Sequence, residues 1–222
     1  MKLFAQKKQV KPWDETFARW AKTAAREGVD PNDIGDREWG DPMPSLQAHY
    51  LPHVCPESDV LELGPGSGRI ARHFIGRCRK IYLADDSQAV CEWLSKYLAG
   101  KGNFQICLLD KPAFPMIAGE SIDFAFAFGV FEHLDLDEMR WYVEEFHRVL
   151  KSGATAIFNF DNFMSEEGIA WHARWRGQPG HRNIFRFYHP DMVHRVAEAS
   201  GFRVTELRTS RSRHAEIELD KI

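Results

Sequence analysis

Three glycines separated by single residues form the segment of this sequence whose residue types point most directly to ligand binding. Gly64, Gly66 and Gly68 follow an apolar run at residues 60–63, which predicts a strand, and precede apolar residues at helical spacing. Glycine lets the backbone approach a ligand closely, and the N-terminus of a helix favours negative charge. The loop therefore predicts a ligand site at the turn between the first strand and the first helix.

The residues around this loop distinguish between two classes of cofactor site. A dinucleotide site has the pattern G-x-G-x-x-G, which requires a small residue where this sequence has Arg69. The sequence also has an acidic residue, Glu62, two positions before the first glycine. This E-x-G-x-G-x-G pattern resembles the first motif of class I S-adenosylmethionine-dependent methyltransferases.

Later segments resemble further motifs of that family in the expected order, over about residues 60–207. They read D-x-S, Leu-Asp, E-H-L, R-V-L-K-S-G and A-S-G-F, at residues 85–87, 109–110, 132–134, 148–153 and 199–202. The N/D-P-P-Y/F motif of enzymes that methylate amino groups of adenine, cytosine or glutamine does not follow the fourth predicted strand. Residues 128–130 read Phe-Gly-Val there, which favours a small-molecule oxygen, nitrogen or carbon acceptor.

The resemblance implies S-adenosylmethionine as cofactor and S-adenosylhomocysteine as product. Glu62 would orient the cofactor ammonium, directly or through water or backbone groups, while the loop amides meet its carboxylate. Asp85, 21 residues after the first glycine, would grip the ribose, since a carboxylate can accept both hydroxyl protons. Asp110 would accept a hydrogen bond from adenine, and Asp86 is either a cofactor contact or a solvated or capping residue. The expected cofactor-binding residues are Glu62, Gly64, Pro65, Gly66, Gly68, Asp85, Asp86, Asp110, Phe128 and Gly129.

Two histidines are the candidates for a catalytic base. His133 follows the fourth predicted strand and could take a proton from the acceptor, because histidine titrates near working pH. The alternative is that it packs against or caps the next helix. His189, before Pro190, is a second candidate or only a turn residue, and Asp161 after the fifth strand is a third.

Aromatic and cationic residues concentrate at residues 171–189, after the fifth predicted strand, where this fold commonly builds substrate specificity. Arg182, Arg186 and Tyr188 are expected to bind the substrate, the arginines by pairing with a carboxylate or phosphate. The arginines nearest the C-terminus are expected instead to form a solvated basic edge: Arg203, Arg208, Arg211 and Arg213.

The favoured function is methyl transfer to a small molecule by in-line displacement. Methylation of RNA or protein, nicotinamide-dependent oxidoreduction and a non-catalytic role remain as alternatives. A net charge of −3 gives little attraction for nucleic acid or anionic membranes, and no apolar run is long enough to predict a membrane helix. The four cysteines form no C-x-x-C pair, so we expect reduced thiols, a cytoplasmic location and no metal site. The sequence does not determine the oligomeric state.

Alternating apolar runs and helical stripes predict an α/β fold that positions these residues. We expect a doubly wound, mostly parallel seven-stranded sheet with an antiparallel edge hairpin. The predicted strands span residues 60–63, 80–84, 104–108, 124–128, 155–160, 202–207 and 214–219.

The chain is expected to divide into a helical cap or lid at residues 1–55 and an α/β domain at residues 56–222, with a specificity insertion around residues 161–189. The cap begins with the helical stripe Phe17, Trp20, Ala21 and Ala24, which stops near Gly28, and residues 30–42 read as a loop.

Overall fold

The computed structural model describes residues 12–175 and 185–222, and one eight-stranded sheet organises them. Its strands are β1 (Asp59–Leu63), β2 (Lys80–Asp85), β3 (Phe104–Leu108), β4 (Ile122–Ala127), β5 (Leu150–Asn162), β6 (Phe187–Tyr188), β7 (Phe202–Arg208) and β8 (His214–Lys221). The strand order is β3-β2-β1-β4-β5-β8-β7, and β6 pairs with β5 off this path. The order reverses direction between β1 and β4, which creates a crevice at the carboxyl ends of these two strands.

The pairing confirms a mostly parallel sheet with an antiparallel edge. Strands β1 to β5 pair in parallel, whereas β8 runs antiparallel to both β5 and β7. The sequence predicts seven strands, and the eighth is β6, a two-residue parallel pairing in which Phe187 lies opposite Asp161. So short a strand has no detectable period in the sequence.

Helices cover both faces of the sheet. They are α1 (Pro12–Glu27), α2 (Pro31–Trp39), α3 (Met43–Ser45), α4 (Gln88–Tyr97), α5 (Leu136–Val149), α6 (Glu166–Trp175) and α7 (Pro190–Ala199). Short irregular turns connect them: a π-helical turn at Leu46–Tyr50 and 3₁₀ turns at Leu51–His53, Ala71–His73 and Phe131–His133. No helix among residues 12–175 and 185–222 is both long and apolar enough to span a membrane.

The sheet separates two hydrophobic clusters. Because side chains alternate along a strand, Leu61 and Leu63 of β1 face the cluster formed with α5 and α7, whereas Val60 faces the opposite cluster. That second cluster includes Trp20 of α1 and Leu94 of α4, so the N-terminal helices share a core with the sheet.

Local structure differs from the sequence expectation in three places. Residues 31–39, expected in a loop, form α2, because Asp30 caps the helix by accepting from Asn32 N and Pro31 occupies its first turn. The helix expected after the glycine loop is only a 3₁₀ turn with flanking turns, because Gly68 and Gly76, both with positive φ, leave it little length. The stretch after the fifth strand contains α6 rather than only irregular structure.

Candidate functional site

A cavity of about 1300 Å³ opens at the carboxyl ends of β1, β2, β4 and β5. We describe it as two arms. The glycine-loop arm is lined by Phe17, Glu62, Gly64, Pro65, Gly66, Ser67, Arg69, Asp85 and Asp86. The β8 arm is lined by Glu132, His133, Asn159, Trp171, Phe185, Arg208, Arg213, His214 and Glu216. Phe128 and Gly129, at the end of β4, also line the cavity.

The conformation of the loop requires glycine at its first position. Gly64 has φ +69°, and its N–H donates to the Ala84 carbonyl at 2.8 Å, which ties the loop to β2. A Cβ atom on Gly64 would lie 2.4 Å from Cγ2 of Val130. One on Gly66 would lie 3.0 Å from the ring of Phe17, so the α1 side chain closes over the loop at contact distance. The loop thus keeps bare backbone facing the cavity.

Buried polar contacts fix the loop to the helices around it. The Ser67 hydroxyl donates to Oδ1 of Asn32 at 2.6 Å, and Asn32 Nδ2 donates back to the Ser67 carbonyl at 3.3 Å. The Trp93 indole donates to the same carbonyl at 3.0 Å. Gly68 closes the turn by donating to the Pro65 carbonyl at 2.9 Å, and it does not line the cavity. These contacts preorganise the loop.

Arg69 has a structural partner that explains its departure from a dinucleotide pattern. Its Nη1 donates to Asp36 at 2.9 Å and to the Gly40 carbonyl at 3.1 Å. The guanidinium lies 5.7 Å from the Trp39 ring and 5.9 Å from the Phe128 ring. The Arg69 side chain therefore holds the N-terminal segment against the loop. In a dinucleotide site the same position needs a small residue, because the helix packs closely against the strand there.

Glu62 is a buried carboxyl group aimed into the glycine-loop arm. It is 1% exposed, and among the described residues its Oε2 atom has no hydrogen-bond partner. Burial, and secondarily the charge of Asp85, raises the pKa of Glu62 to about 8, although Arg69 opposes the shift. A buried acceptor without a partner is costly, so this group fits a ligand that brings a cationic donor, such as the ammonium of an amino acid.

Two further acidic residues predicted to bind the cofactor line the same arm. Asp85 ends β2, and its Oδ1 accepts from Ser87 N at 2.8 Å, which turns the chain back along the cavity. Ser87 caps α4 by accepting from Val90 N, so Asp86 is not that cap. Asp110, in contrast, is exposed and does not line the cavity.

Gly129 joins the two arms. Its N–H donates to Oδ1 of Asn159 at 2.7 Å, which links the end of β4 to β5. Asn159 lies between Phe158 and Phe160, which belong to the α5-side cluster, so its amide faces the opposite side of the sheet. Gly129 and Asn159, on the neighbouring strands β4 and β5, therefore form a continuous surface between the two arms.

Ion pairs organise the β8 arm. Arg208 donates from Nε to Glu216 at 2.8 Å and from Nη1 to Glu218 at 3.0 Å, and the Tyr50 hydroxyl donates to Glu216 at 2.5 Å. Only 16% of the Arg208 side chain is exposed. The expectation of a solvated basic edge is wrong for this residue, because antiparallel pairing with β8 places carboxylates beside it.

The same expectation is wrong for Arg213. Its Nη1 donates to the fully buried Asp161 at 3.1 Å, and its guanidinium lies 4.2 Å from the Trp171 ring. His214 Nδ1 lies 3.2 Å from the other Asp161 oxygen. Asp161 therefore organises the arm from beneath rather than lining the cavity.

Of the two histidines expected as bases, only His133 lines the cavity. The cap of α5 is Asp135, which accepts from Glu138 N in a capping box, so His133 does not cap that helix. His189 caps α7 by accepting from Asp191 N at 3.2 Å and is about half exposed.

Two of the three residues expected to bind substrate, Arg186 and Tyr188, are absent from the cavity lining. The Tyr188 hydroxyl donates to the Leu134 carbonyl, and the backbone N–H of Arg186 donates to the Glu132 carbonyl at 2.6 Å. Neither side chain lines the cavity. Arg182 lies outside the residues that the structure describes.

Glu132 is a cavity residue that sequence reasoning missed, as it also missed Asn159 and Glu216. It is 4% exposed, its Oε2 has no hydrogen-bond partner among the described residues, and burial raises its pKa. The signal in the sequence was its place beside His133 after β4, where the sequence analysis singled out the histidine and not the glutamate. Burial of a carboxyl group cannot be deduced from that position alone.

Comparison with known proteins identifies a domain and a fold that this chain shares with them. Residues 61–158 match the family model for a methyltransferase domain. A S-adenosylmethionine-dependent methyltransferase from Aquifex aeolicus superposes with a TM-score of 0.62 at 17% identity, over 82% of this chain and 90% of that chain.

Two longer matches show the same fold. A Thermotoga maritima methyltransferase, described as a possible histamine N-methyltransferase, has a TM-score of 0.65 at 17% identity, over 95% of this chain and 100% of that chain. A chain from the complex between the Haloferax volcanii Trm112 methyltransferase activator and a methyltransferase has a TM-score of 0.66 at 16% identity, over 96% and 99%.

A comparison with curated proteins finds no match. The matched domain favours methyl transfer over the nicotinamide alternative, which Arg69 already opposed. The matched domain and these neighbours support an enzyme that transfers methyl groups, with S-adenosylmethionine as the donor. The motifs and fold of this chain are therefore similar to those of class I S-adenosylmethionine-dependent methyltransferases, and its residues 61–158 match a methyltransferase domain.

Proposed function

We propose that this methyltransferase transfers the methyl group to a small-molecule acceptor. The observation that carries the proposal is the size and composition of the cavity. Its volume, about 1300 Å³, exceeds that of an ordinary single-ligand pocket, which is roughly 300–1,000 Å³. The cavity therefore has room for a cofactor in the glycine-loop arm and a second small molecule in the β8 arm.

The glycine-loop arm holds the cofactor in this proposal. S-adenosylmethionine supplies a methyl group on a sulfonium, already activated for transfer. Glu62 binds the ammonium, the amides of the loop bind the carboxylate, and Asp85 binds the ribose. The unpaired Oε2 atom of Glu62 supports the first of these roles.

The N-terminal segment excludes water from the reacting groups. Phe17 covers Gly66, and Asp36 holds Arg69 in the cavity wall at 2.9 Å. These contacts support the assignment of residues 1–55 as a lid whose closed position depends on the loop beneath it.

The β8 arm positions the acceptor. Its described side chains combine aromatic walls with buried carboxylates, and its two arginines are paired with acidic residues. Such an arm does not attract a nucleic-acid backbone. His133 lines the arm and supplies a proton acceptor if the substrate must lose a proton.

Methylation of a macromolecule is the second candidate, and the Haloferax match favours it. That chain comes from a complex with the Trm112 methyltransferase activator. A comparable partner for this chain would extend the acceptor surface beyond the cavity.

Labelling separates the two candidates. The protein is incubated with methyl-tritiated S-adenosylmethionine and either the small-molecule or the macromolecular fraction of a cell extract. We expect label in the small-molecule fraction with the native protein and much less with Glu62→Gln at a subsaturating concentration of the methyl donor. Label that appears only in RNA or protein would contradict the small-molecule proposal.

A further inference from the structure

Glu132 occupies a buried position in the β8 arm that the family assignment leaves without a role. Its backbone carbonyl accepts from Arg186 N at 2.6 Å, which fixes the 3₁₀ turn Phe131–His133 against the segment before β6. Its side chain reaches the end of β4, where a Cβ on Gly129 would lie 3.7 Å from Oε1. The carboxyl group therefore lies beside the junction of the two arms.

The polar groups beyond this junction already bind one another. The Asn159 side chain accepts from Gly129 N, and Glu216, its partner across β5 and β8, binds Tyr50 and Arg208. Glu132 differs, because among the described residues no donor reaches its Oε2 atom. Oδ1 of Asp161, beneath the arm, is also without a hydrogen bond in the described part of the chain, but Asp161 does not line the cavity, so Glu132 is the buried acceptor that a bound molecule can reach.

The charges of the β8 arm determine whether a cationic or an anionic acceptor molecule binds there more favourably. Arg208 has three carboxylates around it, from Glu206, Glu216 and Glu218, so its charge is more than balanced although its Nη2 atom has no hydrogen bond. The guanidinium of Arg213 is paired with Asp161. An anionic acceptor would meet repulsion here, whereas a cationic one would meet attraction.

Aromatic side chains provide the apolar side of the arm. Trp171 and Phe185 both line the cavity, and their ring centroids lie 6.0 Å apart at an interplanar angle of 69°. Such walls suit a flat or apolar body attached to the charged group.

We propose that the acceptor is an amine on an aromatic or apolar body, and that Glu132 binds its ammonium and receives its proton. This inference rests on the proposed small-molecule function. The proton first passes from the ammonium to the Glu132 carboxylate, which leaves a neutral amine. The nitrogen lone pair then forms the bond to the methyl carbon as the carbon–sulfur bond breaks, and the sulfur keeps that electron pair.

The burial of Glu132 supports its role as the group that receives the proton. It raises the pKa of Glu132, and the nearby charge of Asp161 acts in the same direction, whereas His133 and His214 oppose it. A carboxylate with a raised pKa is a stronger base than an exposed one, so it takes a proton from an amine more readily.

Three probes that share one skeleton test the proposal: phenethylamine, 2-phenylethanol and 3-phenylpropionate. Their binding is measured by calorimetry on protein saturated with S-adenosylhomocysteine. We expect the amine to bind at least about tenfold more tightly than the alcohol, and the carboxylate most weakly. Glu132→Gln should abolish this order and leave the affinity for S-adenosylhomocysteine unchanged.

Two variants control for charge and for folding. Glu144→Gln removes an exposed carboxylate of α5 that pairs with Arg140, and it should keep the native preference. Glu132→Asp keeps the charge and should keep part of the preference. Equal binding of the three probes, preference for the carboxylate, no binding of any probe, or a preference that survives Glu132→Gln would each overturn the inference.

The same experiment separates this inference from the proposed function. Binding of S-adenosylhomocysteine with no preference for the amine overturns the role of Glu132 and leaves small-molecule methylation standing. Methyl label found only in macromolecules overturns the small-molecule proposal, whatever the probes show.

Discussion

The two arms of the cavity are built from the chain in different ways. The cofactor side draws most of its residues from a single stretch, residues 62–86, that runs from one strand through the glycine loop to the end of the next. The β8 arm takes its lining from segments between residues 132 and 216, separated by helices and strands. The comparison teaches that a local site leaves a pattern in the sequence, whereas an assembled one leaves scattered residues.

The arms also share a physical feature. Each contains a nearly fully buried glutamate, Glu62 or Glu132, with an unpaired oxygen among the described residues and a raised pKa. In both arms burial is the largest cause of the shift. Both positions therefore favour a ligand that brings a positively charged donor, the cofactor in one arm and the acceptor in the other.

The largest effect is expected from a clash in the glycine-loop arm. Gly64→Ala adds left-handed strain and a contact 2.4 Å from Val130, so we expect a loss of about 2–4 kcal/mol in the free energy of unfolding. Gly76→Ala has the same strain with no atom within 4 Å, and should cost only about 1–2 kcal/mol. Urea unfolding measures both. Equal losses in the free energy of unfolding would show that the Val130 side chain moves aside at little cost.

Glu62→Gln should separate ligand binding from stability. We expect affinity for S-adenosylhomocysteine to fall about 10- to 100-fold, because a charged hydrogen bond is lost. Without ligand, the variant should be the more stable at pH 8. The native protein loses stability as the pH rises from 4.5 to about 8, since the folded chain keeps a proton on Glu62 that the unfolded chain releases.

Calorimetry and thermal unfolding between pH 4.5 and pH 8 check this prediction. The stability difference between the two proteins should widen across that interval and then level off, because glutamine does not titrate. A constant difference would mean that Glu62 ionises normally in the folded protein.

A smaller effect is expected where the N-terminal segment meets the loop. Asp36 receives hydrogen bonds from Arg69 at 2.9 Å and from Arg72 at 2.5 Å. Asp36→Asn should weaken cofactor binding about three- to tenfold, because it weakens a charge-assisted contact that closes the lid. Glu27→Gln, which breaks the exposed pair with Arg37, is the control and should leave affinity unchanged. Calorimetry with S-adenosylhomocysteine distinguishes the two.

The smallest effect on cofactor affinity is expected in the β8 arm. His133→Ala should leave S-adenosylhomocysteine binding within about twofold and lower kcat about tenfold or more, because it removes a side chain that lines the acceptor arm and helps to position the acceptor. His189→Ala removes only the cap of α7, so kcat should stay within about twofold while stability falls by about 1 kcal/mol. A loss of kcat in His189→Ala alone would reverse the assignment.

Much of the fold was predictable because most of its strands and helices have a recognisable spacing of apolar residues in the sequence. The buried strands β1, β2 and β4 are nearly continuous apolar runs, and α5 has an apolar stripe at helical spacing that is fully buried. Helix α2 was missed, although Asp30 and Pro31 are a helix cap and first-turn signal, because the turn-forming residues around them read as a loop.

The residues of the candidate site likewise fall into those that were predictable from the sequence and those that were not. Glu62, Gly64 and Asp85 were identified from their resemblance to family motifs within one continuous stretch of the chain, and all three line the cavity. Arg208 and Arg213 were misjudged as solvated. Nothing in their neighbours along the chain shows that Glu216 and Asp161 lie beside them.

The sequence by itself determined the fold class, the glycine loop and the carboxylates that flank it, since these depend on residue types and short separations. Only the tertiary structure decided which polar groups of the β8 arm are paired and that Glu132 is left with an unpaired oxygen. The physical reason is that pairing across β4, β5, β8 and β7 depends on strand order and register, which bring residues far apart in the chain into contact.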